Sequence, residues 1–469
     1  MESIMKEKIR TVIKLFGLLL TGVVLGFVMI VGVYAIPVDR MVKHAESAAQ
    51  SLYDMQDIDI TANDKQWCGL GVDTFTDSII ISTSICNSGD NIVEKAMANR
   101  RIEYGIFNSY ENLMKYYGIG QKDEGKSVKY EKYKGYAYAR YWNGYLVLMK
   151  PLLYLFDYNV IIIFNYILQF TLILINIIML IKKKMSRYIL PFLVSMTCIC
   201  IITTSRCLQL SNIVYITLIS MFVLLRYGEI LEQQRKTIYI FTVIGKCVGY
   251  FDILTYPLVT LGMSLVVLLI INNDSVKQSI MKLLKYSFAW VFGYGGIWSA
   301  KWVLASVFTK QNVIDNAIRS IRYRMDNKIN LSGNSIMADD SFNKGRDFGQ
   351  WIEGFDYSDI VVRNLFGMFS YIIMSICFIV IVLLILNIYE KRKNISVTKI
   401  YGCIPFVLVA LMPFVWYKAL GNHSYSHYFF TYRILTITIF SILCMLIKVC
   451  DEEKDTEQCN LINDKINKK

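Results

Sequence analysis

Four aspartates, Asp39, Asp73, Asp77 and Asp252, are of the type that takes a proton from an attacking hydroxyl or holds a divalent cation. Asp39 directly follows a long uncharged run, and Arg40 beside it is an opposite charge that favours the ionised carboxylate. Asp73 and Asp77 lie in Gly69-Leu70-Gly71-Val72-Asp73-Thr74-Phe75-Thr76-Asp77-Ser78, a stretch dense in turn formers and hydroxyls. That composition suits a site loop, and equally an Asx-turn with a helix cap at Asp77 or Ser78. Arg140, Lys301 and Arg433 are the cations suited to clamp a phosphate, arginine by its planar fork and lysine as a point charge. Lys301 is the most telling, because Ala300-Lys301-Trp302-Val303-Leu304 lies within an apolar run where a solvated face does not account for it. His423 and His427 stand four apart, on one face if helical. Two histidines alone are a weak zinc pair, so Arg40, Asp252, His423 and His427 are expected to bind substrate. No Walker loop, GxSxG, CxxC or dinucleotide fingerprint occurs in its required context, and nucleotide-driven and serine-hydrolase chemistry find no support.

Composition says what kind of element must position these groups. The 469 residues are 55% hydrophobic, with Tyr 32 and Phe 25 against Pro 6, and the mean hydropathy is +0.40. That is the membrane class. A formal net charge of +13 would suit a nucleic-acid partner, but the basic residues sit mainly in short links flanking apolar runs. The positive-inside pattern explains them, and no nucleic acid is expected. Residues 1–14 open like a signal peptide, but the run 15–37 is long enough for a span at ~20 residues and no small-residue cleavage site follows. A retained anchor is expected. Most of the 11 cysteines lie in apolar runs as small hydrophobes; only Cys68 and Cys86 share the first long loop and could pair in an oxidising compartment.

The charge pattern then orders the chain. Lys6, Lys8, Arg10 and Lys14 place the N-terminus in the cytoplasm. Residues 15–37 form the first span and 38–158 a long extracytoplasmic loop, too long for a mere connector. Within it, the spacing predicts one amphipathic helix over Asn91–Tyr117 and a short interfacial helix over Leu146–Phe156. Spans two to seven occupy 159–308, with the run 237–271 dividing near Asp252. Residues 309–363 form a second outer loop with 8 acidic and 8 basic residues, spans eight to ten occupy 364–447, and 448–469 is a cytoplasmic tail. The expected fold is thus an all-α, multi-pass bundle of about ten helices in the plasma membrane. On that topology Asp39, Arg40, Arg140, Arg206, Asp252, Lys301, His423, His427 and Arg433 gather at the outer ends of spans. Charges at such depth cost a few kcal/mol by insertion scales, which makes the extracytoplasmic face the expected active face.

A span ending in an acid, a long outer loop, and then Ala139-Arg140-Tyr141-Trp142-Asn143-Gly144-Tyr145 leading into Leu148-Met149-Lys150-Pro151-Leu152-Leu153 resembles the GT-C superfamily of integral-membrane glycosyltransferases. Tyr250–Pro257 and Asn422–Arg433 resemble membrane proteins of Gram-positive surface-polysaccharide clusters. The resemblance implies a GT-C-like bundle and inverting transfer from a polyprenyl-phosphate-linked sugar to a glycan or lipid-linked acceptor. It also implies Asp39 as base, since the family's acid stands just past the first span. Arg40 stands where the family's second acid often sits, and a divalent metal is left open as cofactor. A polymerase or a flippase of lipid-linked polysaccharide is the alternative. A flippase would carry midplane charges, broken helices in matching halves and internal symmetry; the chain has only Lys246 and the interrupted run 237–271.

Overall fold

The structure is a computed structural model describing residues 2–55, 72–104, 109–120, 133–327, 354–366, 371–390 and 397–449. Of the described residues 82% are helical, and one two-stranded sheet is present among them. Helix α1 (Glu2–Tyr34) lacks proline, is uncharged beyond Lys14, and ends just ahead of Pro37, where the residue before proline disfavours helix. Helix α2 (Asp39–Asp54) is amphipathic and buries Met41, Ala45, Ala48, Ala49 and Leu52. Asp73 caps α3 (Thr74–Ile85) by accepting from the Thr76 amide at 2.9 Å, and Asn91 caps α4 (Ile92–Ala98).

Here the structure departs from the single helix expected over Asn91–Tyr117. Asn99 adopts a left-handed φ of 45° and stops α4, because its side chain has tertiary work. It accepts from the Tyr34 hydroxyl at 3.2 Å and donates to the Tyr141 and Trp142 carbonyls at 3.2 and 3.1 Å. Strand β1 (Arg101–Glu103) follows, then α5 (Ser109–Tyr117), and β2 (Lys134–Tyr136) pairs antiparallel with β1, Ile102 opposite Gly135. Helix α6 (Leu146–Leu155) is the short apolar element the sequence suggested.

Beyond it come α7 (Tyr158–Lys182), α8 (Ile189–Cys198), α9 (Ile201–Arg206) and α10 (Leu208–Gln233). The run 237–271 divides at Asp252 into α11 (Thr237–Phe251) and α12 (Leu258–Ile271). Helix α13 (Val276–Thr309), started by a Ser275–Gln278 capping box, packs closely on α11. A Cβ at Gly245 would lie 2.1 Å from the Trp290 carbonyl oxygen, and one at Gly293 2.2 Å from that of Thr242, so the two glycines let the backbones approach. Then follow α14 (Val313–Met325), α15 (Tyr357–Phe366), α16 (Tyr371–Glu390), α17 (Val397–Tyr401), α18 (Ile404–Ala410), α19 (Met412–Ala419), α20 (Gly421–Ser426), α21 (Tyr428–Thr431) and α22 (Thr436–Val449).

Five helical stretches among the described residues are long and apolar enough to cross a membrane: Met5–Tyr34, Tyr158–Lys182, Leu208–Gln233, Lys399–Ala419 and Tyr428–Val449. The chain is an all-α membrane protein. One hydrophobic core joins α8, α10, α12 and α22 through residues such as Phe192, Leu218, Val266 and Phe440. A second joins the first loop to the bundle through Ile30, Trp142, Leu146 and Ile297. The loop is therefore packed onto α1 and α13, and its site segment is placed by them.

Candidate active site

The segment Ala139–Tyr145 is held by two bundle helices. The Trp142 indole donates to the Ile297 carbonyl at 2.6 Å, the Trp302 indole to the Arg140 carbonyl at 3.0 Å, and the Gly144 amide to the Tyr250 carbonyl at 2.9 Å. Arg140 is thereby fixed; it donates to Asn316 Oδ1 at 2.9 Å and lies 5.6 Å from the Tyr138 ring centre, a ring that Arg101 also approaches at 4.9 Å.

The turn between α11 and α12 closes the other side. Leu254 there has a φ of 72°, a left-handed conformation that strains a side chain of its size. The buried Asp252 carboxylate holds the turn, accepting from the Thr255 amide at 2.8 Å and its hydroxyl at 2.5 Å. From α14, Arg324 Nη1 contacts His423 Nδ1 at 2.9 Å. A guanidinium only donates, so Nδ1 accepts and the ring proton sits on Nε2. Burial, reinforced by Arg324, holds this histidine well below its usual range. His423 is 1% exposed, and its ring lies against the Leu254 and Thr255 backbone.

Three adjoining cavities result. The largest, about 580 Å³, is bordered by Glu103, Tyr138, Arg140, Asn312 and Asn316. The second, about 230 Å³, is walled by Tyr141, Tyr294, Trp298, Trp302 and Trp416 with Arg140 and Arg324. The third, about 20 Å³, lies among Thr76, Thr255, Arg324, His423 and His427, room for one water. Arg140 borders the first two, and Arg324 and Leu254 the last two. The chain matches no protein-family model, no curated protein and no solved structure.

The walls differ in chemistry. Around the aromatic cavity the Tyr294 hydroxyl and the Trp298 and Trp416 indole nitrogens are buried without hydrogen-bond partners. A buried donor left unmade costs about 1–3 kcal/mol. With two guanidiniums beside them and no carboxylate among the described lining residues, this pocket is rich in donors and suits an acceptor-rich, anionic group with an apolar body. The largest cavity mixes the Glu103 carboxylate with Asn312, Asn316 and Gln311 amides, a lining that both donates and accepts.

The structure brings together Arg140, His423 and His427, with Asp252 supporting the turn beneath them. It leaves Asp39 and Arg40 exposed at the start of α2, bordering none of these cavities, with Arg40 5.2 Å from the Tyr154 ring centre. The other charges serve helix ends. Lys301, fully buried, donates to the Met97 carbonyl at 2.9 Å at the end of α4, and Arg433 Nε to the Ile199 carbonyl at 3.0 Å just past α8. Lys150 donates to the Ser84 carbonyl at 2.7 Å in the last turn of α3. Acids sit at the opposite poles: Asp73 caps α3, and Asp77 accepts from the Leu208 and Gln209 amides at 3.1 Å each where α10 begins. Both arrangements complement the helix dipole. Among the described residues no group of three or more His, Cys, Asp or Glu could hold a metal ion. Cys86 is buried with its Sγ 3.3 Å from Ser88 Oγ; Cys68 lies outside the described residues.

Sequence reasoning missed Glu103, Arg324, Trp298 and Trp416. Two signals were present. Tyr294, Trp298 and Trp302 recur every four residues, and Val313, Ala317, Ser320 and Arg324 follow helical spacing that puts the arginine on the inner face.

Asp77 gives a pH-dependent stability. Burial pushes its carboxyl up to about 7, with Asp73 adding to the effect against hydrogen bonds from Gln209, Leu208 and Tyr158. The folded state then keeps a proton that the unfolded chain loses near pH ~4. Its contribution is full below that pH, falls as pH rises toward 7 by roughly 1.4 kcal/mol per unit, and is flat above. Thermal unfolding of the solubilised protein should show this slope, and Asp77→Asn should remove it; an unchanged slope would place the titration elsewhere.

Proposed function

We propose that the protein is an integral-membrane glycosyltransferase of the plasma membrane that moves a sugar from a polyprenyl-phosphate carrier to a glycan or lipid-linked acceptor on the extracytoplasmic face. A ten-span, GT-C-like topology with the first loop outside belongs to this reading. The observation that carries it is the aromatic cavity, whose Tyr294, Trp298, Trp416, Arg140 and Arg324 offer donors and no carboxylate. A phosphate on an isoprenoid chain supplies acceptors for the donors and an apolar body for the rings. The adjoining Glu103 cavity suits a hydroxyl-rich acceptor.

In this mechanism the acceptor oxygen bonds to the anomeric carbon from the face opposite the phosphate. The carbon–oxygen bond to phosphate breaks, and its electron pair leaves on the phosphate, held by Arg324 and Arg140. The hydroxyl proton passes to Glu103, which takes the role the sequence gave to Asp39. His423 is a neutral support whose Nδ1 accepts from Arg324 and holds that guanidinium toward the phosphate.

The test is binding of undecaprenyl phosphate to the full chain in lipid nanodiscs, followed by tryptophan fluorescence. Arg324→Gln removes a charge-assisted contact worth about 1.5–3 kcal/mol, so affinity should fall roughly 10- to 100-fold. An unchanged affinity would sink the assignment of this cavity. Tight carrier binding with no sugar transfer under any donor supplied would favour the flippase.

A further inference from the structure

Helix α14 carries three separate stripes. Val313, Ala317 and Ser320 are buried, and Ala317, Ser320, Ile321 and Arg324 border the aromatic cavity. A second stripe is apolar yet turned outward: Ile314, Ile318 and Met325 are 39%, 40% and 52% exposed. With Ile321 they fall at i, i+4, i+7 and i+11, one continuous line along a helix. A third stripe holds Asp315, Arg319 and Arg322, with Asp315 and Arg319 paired at 2.8 Å and Arg322 exposed.

A water-facing helix has no use for that apolar line. The preceding helix shows what covers it. Val303, Val307 and Phe308 in the last turns of α13 are 52%, 65% and 40% exposed, an apolar surface that runs up to α14 through the left-handed turn at Lys310, whose φ is 56°. Apolar and basic stripes side by side are the signature of a helix lying in a membrane interface.

The geometry points to α14 lying in the lipid–water boundary, with phospholipid acyl chains on its Ile314–Ile318–Met325 stripe and a lipid phosphate on Arg322, as the partition between the leaflet and the aromatic cavity. Ile321 belongs to both the apolar stripe and the cavity lining. A ligand on a lipid carrier therefore reaches the cavity sideways, past Ile321, without leaving the bilayer. Only this access step rests on the proposed function; the lipid contact does not.

The two parts have separate tests. A photoreactive benzophenone side chain is placed at 314, 318 or 325 of the full chain in phosphatidylglycerol nanodiscs and irradiated. Phospholipid adducts at all three positions are expected. Crosslinks to protein, whether this chain or a second copy, or no adduct, overturn the lipid contact whether or not the protein transfers sugar. For access, Ile321→Trp should slow association of bilayer-delivered undecaprenyl phosphate at least tenfold more than it slows association of water-soluble geranyl phosphate. Equal slowing of both ligands, or of neither, overturns sideways access.

Discussion

Glu103→Gln is expected to lower sugar transfer by roughly 10²–10⁴-fold, the usual worth of a general base, while Asp39→Asn leaves it nearly unchanged. Glu103 is the carboxylate among the described residues that line the largest of the three cavities, beside Arg140, which borders the aromatic pocket as well. Among the described loop acids, Asp73 is engaged with Thr76, Asp77 with the start of α10, and Glu94 with Arg100 at 2.5 Å. Asp39 is exposed in the first turn of α2, where an acid suits the helix dipole and needs no further role. Glutamine keeps the size and hydrogen bonding of Glu103 and removes its basicity, so carrier binding should survive while transfer falls. Single-turnover transfer from a radiolabelled polyprenyl-phosphate sugar reads both. The reverse result, activity kept in Glu103→Gln and lost in Asp39→Asn, returns the base to Asp39.

Lys301→Met is expected to cost roughly 2–3 kcal/mol of stability and to leave carrier affinity per folded molecule unchanged. The ammonium is fully buried, holds the Met97 carbonyl at 2.9 Å, and lies 5.6 Å from the Trp142 ring centre. Methionine fills the space but strands a helix-end carbonyl in an apolar setting. Lys301→Arg keeps a donor and should recover part of the loss. Thermal unfolding alongside carrier titration separates the roles. A variant that unfolds normally but no longer binds carrier would make Lys301 a phosphate ligand after all.

These two residues show where sequence reading runs out. Arg140 and the histidine pair were legible, because an arginine among aromatics beside a membrane and two histidines four apart are local patterns. The division at Asp252 was legible too, since a charge and Pro257 interrupt an apolar run too long for one helix. Lys301 and Arg433 stood out for a sound reason, as a buried cation needs a partner. A backbone carbonyl partner, however, has no sequence signature. Any helix can offer one at its end, and here the helix is encoded some two hundred residues away, Lys301 and Met97 being 204 apart. Glu103 was hidden differently. Helical spacing over Asn91–Tyr117 concealed that Asn99 is claimed by Tyr34, Tyr141 and Trp142, which ends the helix and sets Glu103 in a strand.

The bond between Lys301 and α4 also imposes an order on biogenesis. The ribosome makes α4 long before α13, and N-terminal parts of a chain generally fold first. The carbonyl end of α4 must therefore wait, solvated, until a lysine from a much later helix arrives to cover it. Docking of α13 is what covers it, so the loop that shapes the cleft and the helix that walls it are fixed by the same set of contacts.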